Sequence, residues 1–175
     1  MLDILIVVDM QNDFITGSLG TKEAQKIVNN VALEINKSYD MVFFTQDTHD
    51  KNYLNTQEGK NLPIEHCIDG EDGWKLHDDI KLSMKAARCP VYTIKKNIFG
   101  SYNLLEKLEY MSDKINSITI VGLCTDICVI SNALIIKSKF PEIKLKCIEN
   151  CCAGVTPEKH NAAIEVMKSC QVEVL

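Results

Sequence analysis

Short apolar runs alternate with amphipathic segments about six times along this chain, and this alternation constrains its fold more than any other feature. The apolar runs have the length of β-strands, and the segments between them place apolar residues at the spacing of a helical face. Such alternation is typical of a parallel sheet covered on both faces by helices that form right-handed crossovers. We therefore predict an α/β fold, a three-layer αβα sandwich around a central, mostly parallel six-stranded sheet.

Capping residues help to place the predicted helices. Thr21 and Thr156 each precede a helical pattern as N-cap residues, and Pro157 suits the first position of a helix. The predicted strands span residues 3–8, 41–45, 90–94, 118–121, 143–148 and 172–175. The predicted helices span residues 21–38, 75–87, 104–111, 127–139 and 157–168.

Composition and charge fit one compact, enzyme-sized domain, which we predict to span residues 1–175. The chain is 46% hydrophobic and 25% charged, and its net charge of −5 gives no support to binding of nucleic acid or anionic membranes. No apolar stretch approaches the roughly 18 residues of a membrane span. The N-terminus enters a strand without the regions of a signal peptide, so we expect a cytoplasmic protein whose eight cysteines are reduced.

Three reactive side chains follow strands that lie far apart in the sequence. Asp9 ends the first apolar run, Lys96 follows the third predicted strand, and Cys128 follows the fourth after a short turn. In open parallel sheets the ligand crevice lies outside the carboxyl ends of the strands, so we expect these side chains to meet. A carboxylate, an ammonium and a thiol are the components of a cysteine nucleophile with its base and its charge partner.

A long connection without convincing periodicity runs from Asp47 to Trp74 and contains two of the four histidines. Connections longer than about 12–15 residues inside a domain are usually functional or disordered. Asp47 and His49 are two residues apart, on one side of an extended chain, and Glu58 and His66 follow. Two imidazoles and two carboxylates suit zinc, iron or manganese better than calcium. Because surface Asp-x-His pairs are common, the spacing alone leaves a metal site and a solvated loop equally open.

Three segments resemble the signatures of the isochorismatase-like cysteine hydrolases. They are Val-Asp-Met-Gln-Asn-Asp-Phe at 8–14, Lys-Asn-Ile-Phe-Gly-Ser at 96–101 and Gly-Leu-Cys-Thr-Asp-Ile-Cys at 122–128. Any one motif alone would be weak, but their order and spacing together make the resemblance specific. The resemblance extends from residue 3 to beyond residue 128, and the remaining strand and helix fit the same three-layer fold. The superfamily includes nicotinamidases, N-carbamoyl amidohydrolases and isochorismatases.

The resemblance implies that Cys128 is the nucleophile, since family members carry the reactive cysteine after Thr-Asp-x. It also implies a cis peptide bond between Leu123 and Cys124, and an oxyanion hole formed by the backbone N–H groups of Cys124 and Cys128. A helix N-terminus and a nearby ammonium both favour a thiolate, so we expect a reactive Cys128. The other cysteines are expected to be core or bystander thiols. They are Cys67, Cys89, Cys147, Cys151, Cys152 and Cys170.

The same resemblance assigns the acid–base groups. Asp9 would remove the thiol proton and later return it to the leaving amine, and Lys96 would hold the anionic charges of the site. Adjacent strand residues point to opposite faces, so only one of Lys95 and Lys96 can face the crevice. The spacing to Phe99 matches the family at Lys96, which leaves Lys95 as a solvated lysine.

Nicotinamidases bind a metal through such an Asp-x-His pair and a later histidine just before a cysteine. The corresponding residues here are Asp47, His49 and His66. Many members supply another histidine in between, which this chain lacks, and some use a glutamate, for which we predict Glu58. The resemblance therefore implies a divalent metal, zinc in the first place, with iron or manganese as alternatives.

Two aromatic residues are predicted to bind the substrate. Phe14 corresponds to a residue that packs on the substrate ring in the family, and Tyr102, just past the second motif, is placed to do likewise. The nicotinamidase pattern usually has a tryptophan before the Pro-x-His-Cys element, and Leu62 stands there in this chain. Three further residues are expected to be surface, helix or anchoring positions: Trp74, His77 and His160.

The function that the resemblance implies is a metal-containing cysteine amidohydrolase acting on a small amide. The leading prediction is conversion of nicotinamide to nicotinate and ammonia through a thioester on Cys128, in a homo-oligomer such as many family members form. One alternative is a related small-amide or N-carbamoyl hydrolase of the same fold. A more remote alternative is a non-catalytic metal or thiol-redox protein, with Cys151–Cys152 and Cys124–Cys128 as its oxidisable pairs.

Overall fold

The computed structural model describes residues 1–175 and contains one six-stranded sheet flanked by helices. The strands are β1 (Leu2–Val8), β2 (Met41–Asp47), β3 (Val91–Lys96), β4 (Ile115–Leu123), β5 (Lys144–Ala153) and β6 (Glu173–Val174). The helices are α1 (Asn12–Ile15), α2 (Lys22–Ile35), α3 (Gln57–Asn61), α4 (Asp78–Ala86), α5 (Tyr102–Glu109), α6 (Ile130–Lys139) and α7 (Pro157–Ser169). The strand order is β3-β2-β1-β4-β5-β6, and every neighbouring pair is parallel. The predicted α/β class is confirmed, and the sheet is parallel throughout.

Helices cover both faces of the sheet because the central strands are apolar on both faces. In β1, Ile4 and Ile6 belong to one buried core and Leu5 and Val7 to the other, as the two-residue period of a strand requires. Helices α5, α6 and α7 contribute to the first core, and α2 and α4 to the second. The sheet and its two helical layers form the predicted sandwich.

The predicted helix caps are present. Thr21 Oγ1 accepts a hydrogen bond from Ala24 N at 3.0 Å, and Thr156 Oγ1 accepts one from Lys159 N at 3.3 Å. Each bond satisfies one of the N–H groups that the start of a helix leaves without a partner. Pro157 is the first residue of α7, where its missing N–H has no cost.

Four strands, β2 to β5, continue beyond their predicted ends, and the extension of β2 and β3 matters for the site. Strand β2 reaches Asp47 and β3 reaches Lys96, and these two terminal residues are paired in register. The apolar pattern stops two residues earlier in each strand, but the backbone ladder does not depend on side-chain polarity. Asp47 is therefore the last residue of β2, and not the first residue of the long connection as predicted, and Lys96 is the last residue of β3.

The helix predicted at 127–139 begins only at Ile130, because Thr125–Val129 forms a single π-helical turn. Such turns are rare and frequently occur at functional sites.

The 47–74 segment also differs from prediction, since it contains the 3₁₀ turn Tyr53–Asn55 and the short helix α3. Glu58 therefore lies on a helical turn and not in an irregular loop. None of the helices combines the length and the apolar character that crossing a bilayer requires.

Candidate active site

The carboxyl edge of the sheet gathers the three reactive side chains that the sequence singles out. Asp9 follows β1, Lys96 ends β3, and Cys128 lies in the π-helical turn after β4. Lys96 Nζ lies 2.6 Å from Asp9 Oδ2 and 3.4 Å from Cys128 Sγ. The three residues are buried, with exposed fractions of 0% for Asp9, 6% for Lys96 and 5% for Cys128. The three groups therefore meet as expected, with the ammonium in contact with both the carboxylate and the sulfur.

A buried threonine orients Asp9. The backbone of Asp9 has a φ of 47°, in the left-handed region that residues other than glycine seldom adopt. Thr45, on the neighbouring strand β2, donates its hydroxyl to Asp9 Oδ1 at 2.7 Å, which leaves Oδ2 to Lys96. Thr45 is not among the residues predicted from the sequence. The available signal was a polar residue at the end of an apolar strand, opposite Val8 in register.

The three groups alter one another's pKa. Burial raises the pKa of Asp9, and the ammonium of Lys96 opposes this rise without cancelling it. Burial also raises the pKa of Cys128 well above its ordinary value; Asp9 adds to the rise and Lys96 opposes it. Burial alone would lower the pKa of Lys96, but the negative charges of Asp9 and Asp47 outweigh burial and raise it. Lys96 therefore stays an ammonium.

The expectation that the surroundings of Cys128 favour a thiolate is wrong for the free protein. Desolvation of the sulfur outweighs the nearby ammonium, so the thiol keeps its proton. A protonated thiol needs a base at the moment of attack. Because the pKa of Asp9 is raised, this carboxylate is a stronger base than a solvated aspartate would be.

The turn that carries Cys128 has the backbone features that the resemblance implies. The peptide bond between Leu123 and Cys124 is cis. Cys124 O accepts hydrogen bonds from Ile127 N at 3.1 Å and from Val129 N at 3.0 Å, whereas Cys124 N–H donates to no backbone or side-chain acceptor. This N–H group is therefore available to a developing oxyanion.

Lys95 faces away from the site. Its Nζ lies 2.8 Å from Asp69 Oδ1 and 4.5 Å from the centroid of the Trp74 ring. The Trp74 ring nitrogen donates to Thr48 Oγ1 at 2.9 Å, so the tryptophan is an anchor of its segment, as predicted. The alternation of side chains along β3 thus separates an exposed Lys95 from a buried Lys96.

Four side chains of the 47–74 segment converge beside these three groups. The ligand atoms of Asp47, His49, Glu58 and His66 all lie within 4.8 Å of one another. Asp47 Oδ2 is 3.1 Å from His49 Nε2 and 3.5 Å from His66 Nε2, and Glu58 Oε1 is 3.9 Å and 3.8 Å from the same nitrogens. Ligand atoms bound about 2.0–2.2 Å from one ion lie roughly 3 to 3.5 Å apart. The donor set therefore suits a divalent metal ion, and the distances from Asp47 to the two imidazoles match this range, whereas those from Glu58 are a few tenths of an ångström longer.

The charges of this cluster also favour a cation. Burial alone would raise the pKa of Asp47, but hydrogen bonds with His49 and His66 and the charge of Lys96 lower it well below its ordinary value. Burial and the charge of Asp47 raise the pKa of Glu58. The carboxylates of Asp47 and Glu58 therefore repel each other, and a metal ion bound between them would neutralise their charges.

Two contacts orient the imidazoles of the cluster. His66 Nδ1 lies 2.9 Å from Ile64 O, which assigns the proton to Nδ1 and directs Nε2 towards the carboxylates. The ring centroid of Tyr53 lies 4.7 Å from that of His49 and 4.9 Å from that of His66. The Tyr53 hydroxyl donates to Leu62 O at 2.9 Å. Tyr53 is not among the residues predicted from the sequence. The only indication was its position, as an aromatic residue between two predicted metal ligands.

Gln11 holds both ends of the 47–74 segment. Its Nε2 donates to Asp47 O and to Trp74 O, each at 2.8 Å, and its Oε1 accepts from Asp47 N at 2.7 Å. The residue is fully buried, so these bonds satisfy an amide that has no access to water. The motif around Asp9 therefore also positions the first ligand of the candidate metal site.

The two clusters adjoin, and Phe14, one of the two predicted substrate contacts, lies beside them. Lys96 Nζ is 3.5 Å from Asp47 Oδ1, so one ammonium faces both clusters. The ring centroid of Phe14 lies 5.6 Å from that of His66. Tyr102 is 70% exposed and lines a cleft of about 300 Å³ that includes Lys95 and Lys96 but neither Asp9 nor Cys128. Contact of either aromatic residue with a substrate stays a prediction.

The two histidines outside the predicted metal set differ in role. His77 accepts a hydrogen bond from Asp79 N at 3.3 Å and caps α4. His160 lies on α7, as expected of a helix residue, but its Nδ1 is 2.8 Å from Thr125 Oγ1. Because Thr125 begins the π-helical turn, His160 supports the backbone that carries the thiol.

Comparison with known proteins places this chain. The sequence profile of the isochorismatase domain matches residues 3–175. The chain is 25% identical to the nicotinamidase of Schizosaccharomyces pombe in an alignment 205 positions long, which covers 98% of this chain and 91% of that protein. A nicotinamidase/pyrazinamidase structure from Bacillus subtilis, PncA, superposes with a TM-score of 0.81 at 26% identity and covers 99% of both chains. A pyrazinamidase of Pyrococcus horikoshii, solved in complex with zinc, has a TM-score of 0.78 at 24% identity, with 100% of this chain and 99% of that chain covered.

The match over nearly the whole chain shows that the protein belongs to the isochorismatase family. Its similarity to nicotinamidases and pyrazinamidases is not confined to the three motifs, because the alignments extend over almost the full length of these relatives. The TM-score of 0.78 to the zinc-bound structure shows a common fold.

Proposed function

We propose that this protein is a metal-containing cysteine amidohydrolase that converts nicotinamide to nicotinate and ammonia. The observation that carries the proposal is the position of Lys96 Nζ, which lies within 3.5 Å of Asp9, Cys128 and Asp47. A nucleophile with its base therefore adjoins a set of metal ligands. That arrangement suits a small amide with a second donor atom, and the similarity to the nicotinamidase of Schizosaccharomyces pombe supports this class of substrate.

The first half of the reaction forms a thioester. Asp9 accepts the proton of Cys128 Sγ as the sulfur attacks the amide carbon. The N–H groups of Cys124 and Cys128 stabilise the negative charge that develops on the amide oxygen. Asp9 then passes the proton to the leaving nitrogen, the C–N bond breaks, and ammonia departs. Lys96 stays an ammonium and holds the carboxylate and the sulfur in place.

The second half returns the enzyme to its starting state. Asp9 takes a proton from a water molecule, and the oxygen of that water attacks the thioester carbon. The C–S bond breaks, the proton returns from Asp9 to Cys128 Sγ, and the product leaves as nicotinic acid, which gives its remaining proton to the solvent and becomes nicotinate. One carboxylate thus serves as the base in both halves, so its raised pKa assists both steps.

The metal ligands would be Asp47, His49, Glu58 and His66, and we propose zinc as the ion. When bound, the ion supplies a Lewis-acid position for the ring nitrogen of the substrate. Phe14, close to His66, would contact the substrate ring on one side.

The test is release of ammonia by purified, zinc-loaded protein from nicotinamide, pyrazinamide and a panel of N-carbamoyl compounds. We expect turnover of nicotinamide, loss of it in Cys128→Ala, and one zinc ion per chain by elemental analysis. Release of ammonia that persists in Cys128→Ala would contradict the proposed nucleophile. Turnover restricted to the N-carbamoyl compounds would assign the chain to the alternative amidohydrolase of the same fold.

The thiol-redox alternative has less support. The two sulfurs that lie close together are those of Cys147 and Cys152, at 3.7 Å, and not the predicted pairs. Both residues are buried, which limits their access to an oxidant. A redox protein would also have no use for the buried Asp9–Lys96 pair. The predicted homo-oligomer stays a prediction, which the mass of the protein in solution would test.

A further inference from the structure

A buried asparagine links the turn that carries Cys128 to the segment that follows Lys96. Asn132 lies on α6, and none of its surface is exposed. Its Nδ2 donates to Cys128 O at 2.7 Å and to Phe99 O at 3.1 Å. Its Oδ1 accepts from Ser101 N at 3.0 Å. Both hydrogens and the oxygen of the amide are therefore engaged, and all three partners are backbone groups.

The sheet itself does not set the distance between the lysine and the thiol. Lys96 ends β3 at the edge of the sheet, whereas Cys128 follows β4, and strands β2 and β1 lie between them. No backbone ladder joins β3 to β4, so the 3.4 Å between Lys96 Nζ and Cys128 Sγ depends on contacts beyond the strand ends. The bonds of Asn132 span this gap directly.

The segment between β3 and α5 also packs tightly against α6. A Cβ atom placed on Gly100 would lie 2.9 Å from Ile135 Cδ1, so the glycine allows a close approach to the helix. Gly100 is the residue between Phe99 and Ser101, both bonded to Asn132. The amide and the glycine therefore fix the same short stretch of backbone against α6.

We propose that Asn132 is a positioning residue that sets the place of Cys128 relative to Lys96. It bonds the carbonyl of Cys128 itself, so loss of the amide moves the thiol without an intermediate residue. A misplacement near 1 Å can lower a rate about 100-fold, which is the scale of effect expected here. Only the measurement of turnover depends on the proposed function; the position of the thiol does not.

A second reading gives Asn132 a purely local role. Residue 132 lies four positions after Cys128, and a threonine at such a position bonds the carbonyl one turn earlier. Asn132→Thr would therefore keep a bond to Cys128 O but lose both bonds to Phe99 and Ser101. Asn132→Ala would lose all three, so the two variants separate the local bond from the bridge.

The experiment compares both variants with Ile136→Ala, a buried position on the same helix that belongs to the core and not to the site. Each protein is loaded with zinc, and kcat and KM for nicotinamide and the thermal midpoint are measured. The rate of alkylation of Cys128 by iodoacetamide is followed by peptide mass spectrometry. Alkylation requires the thiol to lose its proton near Asp9 and Lys96, but it requires no assumption about the substrate.

We expect both Asn132 variants to lower kcat by about 10- to 100-fold with KM within about threefold of the wild-type value. We also expect slower alkylation of Cys128 in both variants. In Ile136→Ala we expect no change of kcat or of the alkylation rate, even where that variant loses more thermal stability. Wild-type alkylation and kcat in Asn132→Thr would overturn the bridging role. An equal loss of kcat and of the alkylation rate in Ile136→Ala would mean that Asn132 acts only through the stability of the fold. If wild-type protein does not turn over nicotinamide, the proposed substrate fails, and the alkylation rates still decide the role of Asn132.

Discussion

One ammonium group, Lys96 Nζ, faces two carboxylates and a sulfur at the centre of the candidate site. Without a cation among them, desolvated acidic groups of this kind would repel one another or take up protons. Removing one partner of a buried pair is also more harmful than the pair is stabilising, because the remaining charge stays buried. The individual residues therefore differ sharply in what their loss should do.

At the residue scale, Asp9→Asn and Lys96→Ala should each lower kcat by about 10²- to 10⁴-fold, the range for loss of a proton-transfer group. Asp9→Asn removes the base, and Lys96→Ala removes the charge that holds Asp9 and Cys128 together. Lys95→Ala is the matched control, because its exposed ammonium pairs only with Asp69 and the Trp74 ring. Steady-state kinetics with the substrate found active would test this set. Near-wild-type kcat in either site variant would remove that residue from the mechanism.

Glu58 is the metal ligand whose assignment is most open to test, since it is the most exposed member of its cluster. We expect Glu58→Ala to weaken zinc binding by at least about 10- to 100-fold, the range known for changes just outside a ligand shell. Asp47→Ala should weaken it further, because Asp47 lies closer to both imidazoles. Glu65→Ala, an exposed glutamate of the same segment, should have no effect. Titration calorimetry would measure the affinities, and retention of wild-type affinity in Glu58→Ala would make Glu58 a simple helix residue.

At the element scale, the path from β4 into the nucleophile turn requires a glycine. Gly122 has a φ of 116°, and a Cβ atom there would collide with the carbonyl oxygen of Val8 on β1. Gly122→Ala should therefore lower the free energy of unfolding by about 3 kcal/mol or more, through both backbone strain and displacement of a central strand. Gly70 has a φ of 84° with open space around it, so Gly70→Ala should cost only about 1–2 kcal/mol. Urea unfolding would compare the two, and equal losses would contradict the collision with β1.

At the scale of the whole molecule, the 47–74 segment begins at the end of β2 and carries the candidate metal ligands to the site. Its two ends are held by Gln11, and its middle carries Glu58 and His66, so a bound metal would close the segment upon itself. A ligand that binds only the folded state stabilises it by about 2.7 kcal/mol at 100 times its dissociation constant. This corresponds to a rise in Tm of roughly 5 to 10 °C for a chain of this size.

We therefore expect chelation of the metal to lower the Tm by that amount and to expose the segment to proteolysis. Glu58→Ala should show a smaller difference between the zinc-loaded and the chelated protein. Differential scanning calorimetry with limited proteolysis would test both statements. A Tm that does not change on chelation would show that the metal, if bound, contributes nothing to the fold.

The sequence by itself determined the α/β class, the order of the six strands and the five longer helices, and the reactive residues that the folded chain brings together. These properties follow from short-range patterns: the two-residue period of strands, the 3.6-residue period of helices, caps such as Thr21, and reactive residues at strand ends. The choice of Lys96 over Lys95 also depended on strand alternation, together with the resemblance to a family.

Only the tertiary structure decided the contacts that make a site from those residues. The roles of Thr45, Gln11, Tyr53 and Asn132 could not be predicted, because each depends on partners that lie in other strands or loops of the folded chain. The protonation of Cys128 was predicted wrongly for the same reason: its pKa depends mainly on burial, and burial is a property of the packed molecule and not of neighbouring residues in the sequence.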